Sequence, residues 1–471
     1  MSNKSSYIRY HIDTKAAPDI KKWPSRFRVK VGKIGLAKYL LSEIRKYGWQ
    51  SWKRKDVILS RPCLYGVFSG PIGGFAPQPE HCVGCLRCTT ENPEFISVTH
   101  NPERKKLGDS FFTSDYINAL SYESNEGLIP VRGAGYRGKF GGEGWDGMWT
   151  DMSEIVRPTR DGIHGREFIS TVVDIGFRPN YLEFDDQSQP IGKQPKVVSI
   201  PLPLIFDTLP EVSPRNLLTQ IVTQAADSLQ TLVVVPIKSI IELDMAGNHI
   251  IPLVRPEEID LLPQLAFDPE LIELDGWHPS LFKSLSKHFP DALLILRIPF
   301  PNQEDLLSYV NQGIHTFHLL ADFHGKNKEG TFILDMIRKT HQILIGAGIR
   351  QEVTLLGSGG IIAAEHIPKA ILCGLDAVAL DTPILAALQA DFDGECRDRD
   401  ESKFNLPQNL SLDWGVQRIL NLTAAWRDQL LEISGAMGIR EIRRMRGEMG
   451  RAMFMKTLEA EAFSGVAGYE R

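Results

Sequence analysis

Three cysteines at equal, short spacing are the residues of this sequence that point most directly to chemistry. Cys82, Cys85 and Cys88 form a C-x2-C-x2-C run, and Gly84 allows a tight turn inside it. Three thiolates on one short loop can converge on a face of an iron-sulfur cluster. In bacterial ferredoxins a fourth cysteine follows after three further residues, but here that position is Asn92. The run therefore predicts a cluster whose usual fourth ligand is missing.

Cys63 is the residue that we expect to complete the ligand set. It precedes a glycine-rich stretch that leads to the cysteine run, so a loop could bring its thiolate to a 4Fe-4S cluster. The alternative is a 3Fe-4S cluster on three cysteines. A zinc site is less favoured, because zinc ligands usually come as two separated pairs. Cys373 lies in an apolar stretch and is expected in the core, whereas Cys396 has no assignment.

A second candidate site is a glycine-rich sequence that precedes a helical pattern. Gly357, Ser358, Gly359 and Gly360 follow the seventh of eight predicted strands. Bare backbone N–H groups at a helix start bind anions, and many barrels hold a phosphate between the loops after strands seven and eight. This loop is therefore predicted to bind a phosphate, and a tight turn without a ligand is the alternative.

The elements that must position these residues follow from the alternation of short aliphatic runs with longer helical stretches, which is typical of βα units. The predicted strands are residues 197–206, 231–236, 249–254, 271–275, 292–298, 316–321, 353–357 and 377–381. Eight strands favour an α/β fold, a (β/α)8 TIM-type barrel with its active site at the C-terminal strand ends. Beyond Asn409 the apolar residues recur mostly every three or four positions, which predicts a C-terminal helical extension.

The sequence divides into five predicted regions. These are a basic N-terminal arm (1–60), an iron-sulfur segment (61–127), a glycine-rich connection (128–196), the barrel (197–400) and a C-terminal helical region (401–471). The first 56 residues contain 15 Lys and Arg against four Asp and Glu, in a chain of formal net charge -5. Apolar residues interrupt this charge, so we expect an arm that docks on the chain itself or on another subunit. Nucleic-acid binding is the less favoured alternative.

Hydropathy and cysteine content bear on the cellular compartment. No stretch approaches the roughly 20 consecutive apolar residues of a membrane span, and the N-terminus lacks the apolar segment of a secretory signal. Six cysteines, three of them closely spaced, suit a metal site better than a disulfide framework. These features predict a cytoplasmic protein without membrane association.

Polar residues at the predicted strand ends are the candidates for catalysis, because a barrel gathers its chemistry there. His324 could act as a general acid or base near neutral pH, and Lys326 could hold a substrate carboxylate. For each of them the alternative is an exposed loop residue without a role. The remaining candidates at strand ends are Asp207, Lys238, Asp275, His278 and Asp322.

Several segments resemble the glutamate synthase-related FMN-binding proteins. They are MWTDMSEIVRP at 148–158, DGIHGRE at 161–167, GSGGI at 357–361, GAMGI at 435–439 and Arg446-Gly447. The resemblance extends over about residues 128–465. It implies an FMN-dependent oxidoreductase whose barrel binds FMN at its C-terminal face. The FMN phosphate would lie on the backbone of Ser358, Gly359 and Gly360.

The resemblance also implies roles for residues on the fifth and eighth strands. The family usually carries a lysine near the flavin ring at the end of the fifth strand, and the matching residue is Arg297, a permanent cation. Thr382 is a further predicted cofactor contact, although the neighbouring Asp381 would repel a phosphate unless it is paired. On the sixth strand, the sequence ADFHGK at 321–326 replaces the glycine-rich stretch of the family.

The reaction implied by the resemblance is the reduction of an imine or 2-oxo acid to an amino acid. The cluster would pass single electrons and FMN would deliver hydride. The glutamine-hydrolysing half of a glutamate synthase uses an N-terminal cysteine nucleophile, and here no cysteine precedes Cys63. Ammonia from glutamine would therefore require a separate amidotransferase. We therefore expect a small-molecule substrate and a redox partner protein or other subunits. The alternative is a non-catalytic electron-transfer or scaffolding subunit of a larger redox complex.

Overall fold

The structure of the chain is a computed structural model. It describes residues 10–48, 63–69, 72–129, 142–150, 168–192, 194–210, 212 and 215–468. The described residues form two compact units. The smaller unit comprises those between 21 and 114, and the larger unit comprises residues 10–20 and those from 115 onward.

The smaller unit contains an antiparallel pair of strands, β1 (Phe27–Val31) and β2 (Ile96–His100), in which Val29 lies opposite Val98. Side chains alternate along a strand, so the apolar residues of both strands share one face of the pair. That face packs on a small core that includes Cys88. The helices of this unit are Lys33–Tyr47 and Arg87–Glu91.

The larger unit begins with short strands that flank the barrel. They are β3 (Met148–Thr150), β4 (Val173–Phe177), β5 (Glu183–Phe184), β6 (Pro190–Ile191) and β7 (Lys196–Ile200). β4 pairs with β7, and β5 pairs with β6, both in antiparallel register.

Eight parallel strands then close into a barrel in chain order, with the first pairing with the eighth. They are β8 (Leu204–Phe206), β9 (Val233–Pro236), β10 (Ile250–Val254), β11 (Leu271–Asp275), β12 (Leu293–Pro299), β13 (Thr316–Leu320), β14 (Thr354–Ser358) and β15 (Ala377–Leu380). Most residues of these strands are buried, as expected of strands covered on both faces. The predicted (β/α)8 barrel is confirmed.

The first predicted strand, residues 197–206, is wrong as a single element. The structure divides it into β7, which lies outside the barrel, and β8, which belongs to it. Pro201 and Pro203 lie between the two strands. Because proline has no N–H to donate, it interrupts a hydrogen-bonded ladder, and the chain changes partners here.

Helices connect the barrel strands and extend beyond them. They are Arg215–Ser228, Ile237–Glu242, Pro279–His288, Gln303–Asn311, Ile333–Gly346, His366–Cys373 and Thr382–Ala387, with the 3-10 helix Pro256–Gln264 between β10 and β11. Outside the barrel lie the helices Ser114–Glu126, Leu412–Ala436 and Met455–Phe463 and the strands β16 (Asp391–Phe392), β17 (Phe404–Asn405) and β18 (Ala452–Phe454). Among the described helices, none combines the length and the apolar composition needed to cross a membrane.

Candidate functional site

The four cysteines predicted to bind a cluster line one apolar pocket of the smaller unit, together with Val29 from β1. Cys88 is buried, Cys63 and Cys82 are half-buried, and Cys85 is exposed. Burial, followed by the thiols of Cys63, Cys82 and Cys85, raises the pKa of Cys88. The four thiols are therefore close enough to interact, although Cys63 is distant from the others in the sequence.

Local backbone geometry explains how the cysteine run reaches this pocket. Gly84 has φ +73°, and a Cβ there would lie 2.2 Å from the Phe27 ring, so only glycine fits between the run and β1. Leu86 adopts a left-handed conformation with φ 59°, after which the helix Arg87–Glu91 brings Cys88 into its first turn. The Tyr65 backbone N–H donates to the Cys63 sulfur over 3.4 Å. Such N–H donors to cysteine sulfur tune the potential of iron-sulfur clusters.

The spacing of the sulfur atoms distinguishes a cluster from a single metal ion. Of the four cysteines, all of which lie in described parts of the chain, no three have sulfur atoms within 4.8 Å of one another. A tetrahedral zinc ion with Zn–S bonds of about 2.3 Å would draw its thiolates closer together than this. A cluster spreads its ligands because each thiolate binds a different iron atom. Four thiols around one apolar pocket thus fit an iron-sulfur cluster.

The second candidate site, the C-terminal mouth of the barrel, is crossed by buried ion pairs around Arg297. Its Nη1 donates to Asp207 at 2.6 Å and to Glu273 at 2.8 Å, and its Nη2 donates to Thr208 at 3.2 Å. His318, on the next strand, contacts Glu273 through Nδ1 at 2.9 Å. The guanidinium of Arg297 is thus already bound by protein carboxylates.

A second arginine enters the mouth from the hairpin that follows the barrel. Arg399 donates to Asp207 at 3.1 Å, to Asp381 at 2.9 Å and to Ser358 at 2.9 Å. His318 Nε2 lies 3.2 Å from the same Ser358 hydroxyl. We call Asp207, Glu273, Arg297, His318, Ser358, Asp381 and Arg399 the mouth network.

The charges of this network control one another's protonation. Burial alone would raise the pKa of Asp207, but Arg297, His318 and Arg399 hold it well below its ordinary value. Burial opposes ionisation of Glu273 as well, yet His318 and Arg297 lower its pKa. Asp381 differs, because burial and the charge of Asp207 raise its pKa despite Arg399. Most charged groups of the mouth network therefore pair with other members of the network.

The predicted phosphate loop is packed against protein. Gly359 and Gly360 have φ +94° and +69°. A Cβ on Gly359 would lie 2.4 Å from the carbonyl oxygen of Asp322, and one on Gly360 would lie 2.5 Å from Gly325 Cα. The Gly360 N–H donates to the Phe323 carbonyl at 3.2 Å. These glycines allow the loops after β13 and β14 to touch backbone to backbone.

Most of the residues predicted to hold FMN pair with other protein groups in this structure. Arg297, Ser358 and Asp381 pair within the mouth network, and Thr382 donates to Asp381 through its N–H at 2.6 Å and its hydroxyl at 3.0 Å. Gly357 is buried at the end of β14, where a Cβ would contact the Leu375 side chain at 2.6 Å. The side chains of Arg297, Ser358 and Thr382 and the Gly360 N–H are thus already engaged with protein atoms.

The two predicted catalytic residues lie on the loop after β13. His324 is buried and Lys326 is half-buried. The Lys326 backbone N–H donates to the Asp322 carboxylate at 2.7 Å. Of the other strand-end candidates, Asp207 belongs to the mouth network, whereas Asp275 pairs with Arg255 at 2.9 Å on a more exposed surface.

Sequence reasoning missed three members of the mouth network: Glu273, His318 and Arg399. A signal was present for two of them, because Glu273 interrupts LIELD and His318 interrupts TFHLL, both otherwise rich in buried aliphatic residues. A charged residue in the middle of a buried strand needs a partner. No local pattern distinguishes Arg399 from the other charged residues around it.

Comparison with known proteins finds a family match at the C-terminal end of the barrel and beyond it. A family described as the conserved region in glutamate synthase matches residues 323–440. The archaeal glutamate synthase (NADPH) of Methanocaldococcus jannaschii is 32% identical over 121 residues, 24% of each chain. The archaeal-type enzyme of Thermotoga neapolitana is 35% identical over 106 residues, 21% of each chain. This chain thus spans about a quarter or less of those two relatives.

A longer match is more distant. The archaeal-type glutamate synthase (NADPH) of Dehalococcoides mccartyi is 20% identical over 432 residues, which cover 78% of this chain and 86% of that relative. Among solved structures, a mandelate oxidase shares 15% identity with a TM-score of 0.38, covering 63% of this chain and 98% of that one.

These findings support the resemblance to glutamate synthases that the sequence motifs indicated. In the described barrel mouth, Arg297, Ser358 and Thr382 pair with other groups of the protein. The resemblance is therefore confirmed: the chain is similar to glutamate synthases over residues 323–440 and, at 20% identity, over 78% of its length.

Proposed function

We propose that this chain is an oxidoreductase of the glutamate synthase-related group that carries electrons on a 4Fe-4S cluster bound by Cys63, Cys82, Cys85 and Cys88. The observation that carries the proposal is the convergence of four thiols on one apolar pocket. Thiolates in such a pocket need a cation to balance them, and iron supplies it. The exposed position of Cys85 would leave one edge of the cluster within reach of a redox partner protein or another subunit.

The test is the cofactor content of the full chain purified without oxygen. We expect about four iron atoms and four sulfides per chain, with the electron paramagnetic resonance of a reduced 4Fe-4S cluster. Three iron atoms with the signal of an oxidised 3Fe-4S cluster would exclude Cys63 as a ligand. Stoichiometric zinc without iron would overturn the proposal.

The finer proposal concerns the reaction. The relation to glutamate synthases supports reduction of an imine or 2-oxo acid, with His324 as the proton-transferring group and Lys326 as the group that holds a substrate carboxylate. The assay is reductant-dependent formation of glutamate from 2-oxoglutarate and ammonia. Loss of turnover in Lys326→Met, with Lys328→Met unchanged, would support the role of Lys326.

A second candidate function is favoured by the mouth network. Because Arg297 and Arg399 are bound by carboxylates inside the barrel, the chain resembles an electron-transfer or scaffolding subunit without turnover of its own. This candidate predicts cluster without flavin and no glutamate formation by the isolated chain. Robust turnover by the isolated chain would exclude it.

A further inference from the structure

The guanidinium of Arg399 occupies a site that is complementary to it in charge and shape. Its Nε donates to the Ala321 carbonyl at 2.8 Å, Nη1 to Asp207 at 3.1 Å, and Nη2 to both Ser358 and Asp381 at 2.9 Å. These acceptors belong to the ends of β13, β8, β14 and β15. One planar cation therefore joins half of the strands at the barrel mouth.

The site also provides a flat face for the cation. The Arg399 guanidinium carbon lies 5.0 Å from the centre of the Phe323 ring, and the arginine side chain is only 19% exposed. Cations are attracted to aromatic faces, and more strongly where water is excluded. Phe323 is itself almost fully buried. The mouth thus combines carboxyl, hydroxyl and carbonyl acceptors with an aromatic wall.

The loop that carries Arg399 is flanked by paired strands and contacts the barrel through Arg397. Residues 393–403, which we call the mouth loop, connect the antiparallel strands β16 and β17. The Phe323 N–H donates to the Arg397 carbonyl at 2.9 Å, and Arg397 Nε donates to Asp322 at 2.5 Å. The Cys396 thiol contacts the Lys403 carbonyl at 3.3 Å. These contacts hold the loop against the barrel.

We infer that the barrel mouth of this chain is a guanidinium-binding site, filled by its own Arg399, in place of a flavin-binding site. The acceptors that surround Arg399 favour a planar cation and disfavour the phosphate of a flavin, because carboxylates repel phosphate. The inference goes beyond the cluster proposal, which rests on the cysteine pocket. It agrees with the second candidate function, because a mouth without flavin has no two-electron carrier for imine reduction. Its chemistry is recognition of a guanidinium group, supplied here by the mouth loop.

Chemical rescue tests the site directly. In full-length Arg399→Ala, about 10 mM methylguanidinium should raise the thermal unfolding temperature by about 2 to 4 °C by mass action. Urea at the same concentration has the planar shape without the charge and should have no such effect. The wild type and Arg397→Ala, whose arginine lies on the same loop but outside the mouth network, should not respond. Equal shifts with urea, equal shifts in Arg397→Ala, or no shift in Arg399→Ala would overturn the inference.

A second pair of variants covers the case in which Arg399→Ala does not fold. Lysine keeps the charge but cannot reach several acceptors with one planar fork. Arg399→Lys should therefore unfold several degrees below the wild type, whereas Arg397→Lys, which keeps a charge beside Asp322 at a half-exposed position, should fall by less. Equal unfolding temperatures for the two lysine variants would contradict the assigned site.

Flavin content of the wild type supplies an independent readout. We expect well below one FMN per chain after purification and no saturable binding of added FMN. One tightly bound FMN per chain would overturn the inference while leaving the cluster proposal intact. Absence of iron would instead overturn the cluster proposal and leave this one standing.

Discussion

The cysteine pocket and the barrel mouth are both concentrations of reactive groups, but they satisfy those groups in opposite ways. In the pocket, burial among apolar side chains and the neighbouring thiols of Cys63, Cys82 and Cys85 raise the pKa of Cys88. In the mouth, carboxylates face two guanidinium groups, and the pKa of Asp207 is lowered. A set of like groups needs an added cation, whereas a set of opposite charges is complete without a ligand. The difference supports the cluster proposal for the pocket and the guanidinium proposal for the mouth.

The largest expected effect is loss of the cluster when a pocket cysteine is replaced. Cys82→Ser, Cys85→Ser and Cys88→Ser should each lose most of the bound iron, because hydroxyls are poor ligands for a cluster that is held by thiolates. Cys63→Ser should lose the cluster or convert it to a three-iron form. Iron and sulfide analysis with electron paramagnetic resonance provides the measurement.

Cys373→Ser is the matched control for these variants. Cys373 is fully buried in the larger unit, where burial raises its pKa to about 12, so it should be an inert core residue. Its replacement should leave the iron content unchanged. If Cys63→Ser also kept a full four-iron spectrum, the pocket would be a three-cysteine site.

The next effect should come from breaking the mouth network. Arg297→Met leaves Asp207 and Glu273 buried with one cation fewer, which should lower the free energy of unfolding by about 3 to 5 kcal/mol. The measurement is denaturant-induced unfolding followed by far-UV circular dichroism. Arg255→Met is the control, because Arg255 pairs with Asp275 at 2.9 Å but is 53% exposed. This variant should lower the free energy of unfolding by only about 0 to 1 kcal/mol. Similar losses for both variants would show that the mouth ion pairs are no stronger than surface pairs.

Measured per pH unit, the smallest effect concerns a buried carboxyl group outside both sites. Glu123 accepts from the Trp426 indole N–H at 2.8 Å, and burial raises its pKa to about 8, in contrast to the lowered pKa of Asp207. The folded protein therefore keeps this proton up to about pH 8, whereas the unfolded chain releases it near the ordinary value of 4.5. The free energy of unfolding should fall between these values by up to about 1.4 kcal/mol per pH unit.

Glu123→Gln should remove this slope, because glutamine keeps an acceptor for Trp426 without an ionisable proton. Relative to the wild type, the variant should become more stable as the pH rises from 5 to about 8. Thermal unfolding at several pH values measures the difference, and Glu126→Gln, at an exposed position of the same helix, is the control. Parallel pH profiles for wild type and Glu123→Gln would contradict the assignment.

Much of the barrel could be predicted because the residue pattern within each strand is enough to indicate a strand. The aliphatic run Leu271–Asp275 coincides with its predicted bounds, and the other barrel strands after β8 shift by a few residues at their ends. The predicted first strand was wrong because the partners on the two sides of Pro203 differ, and pairing is not a local property. Register and closure depend on contacts that single-strand patterns do not contain.

The sequence by itself determined the cysteine run, because the spacing of three cysteines on one loop sets how closely their thiols can approach one another. It also determined the eight-strand pattern and the relation to glutamate synthases. Only the tertiary structure decided what fills the barrel mouth. Arg399 meets Asp207 across 192 positions of the chain, and Arg297 meets Glu273 through neighbouring strands. Buried charges are stable only where the fold brings their partners, so the same arginine at the fifth strand could bind a cofactor or, as here, a carboxylate.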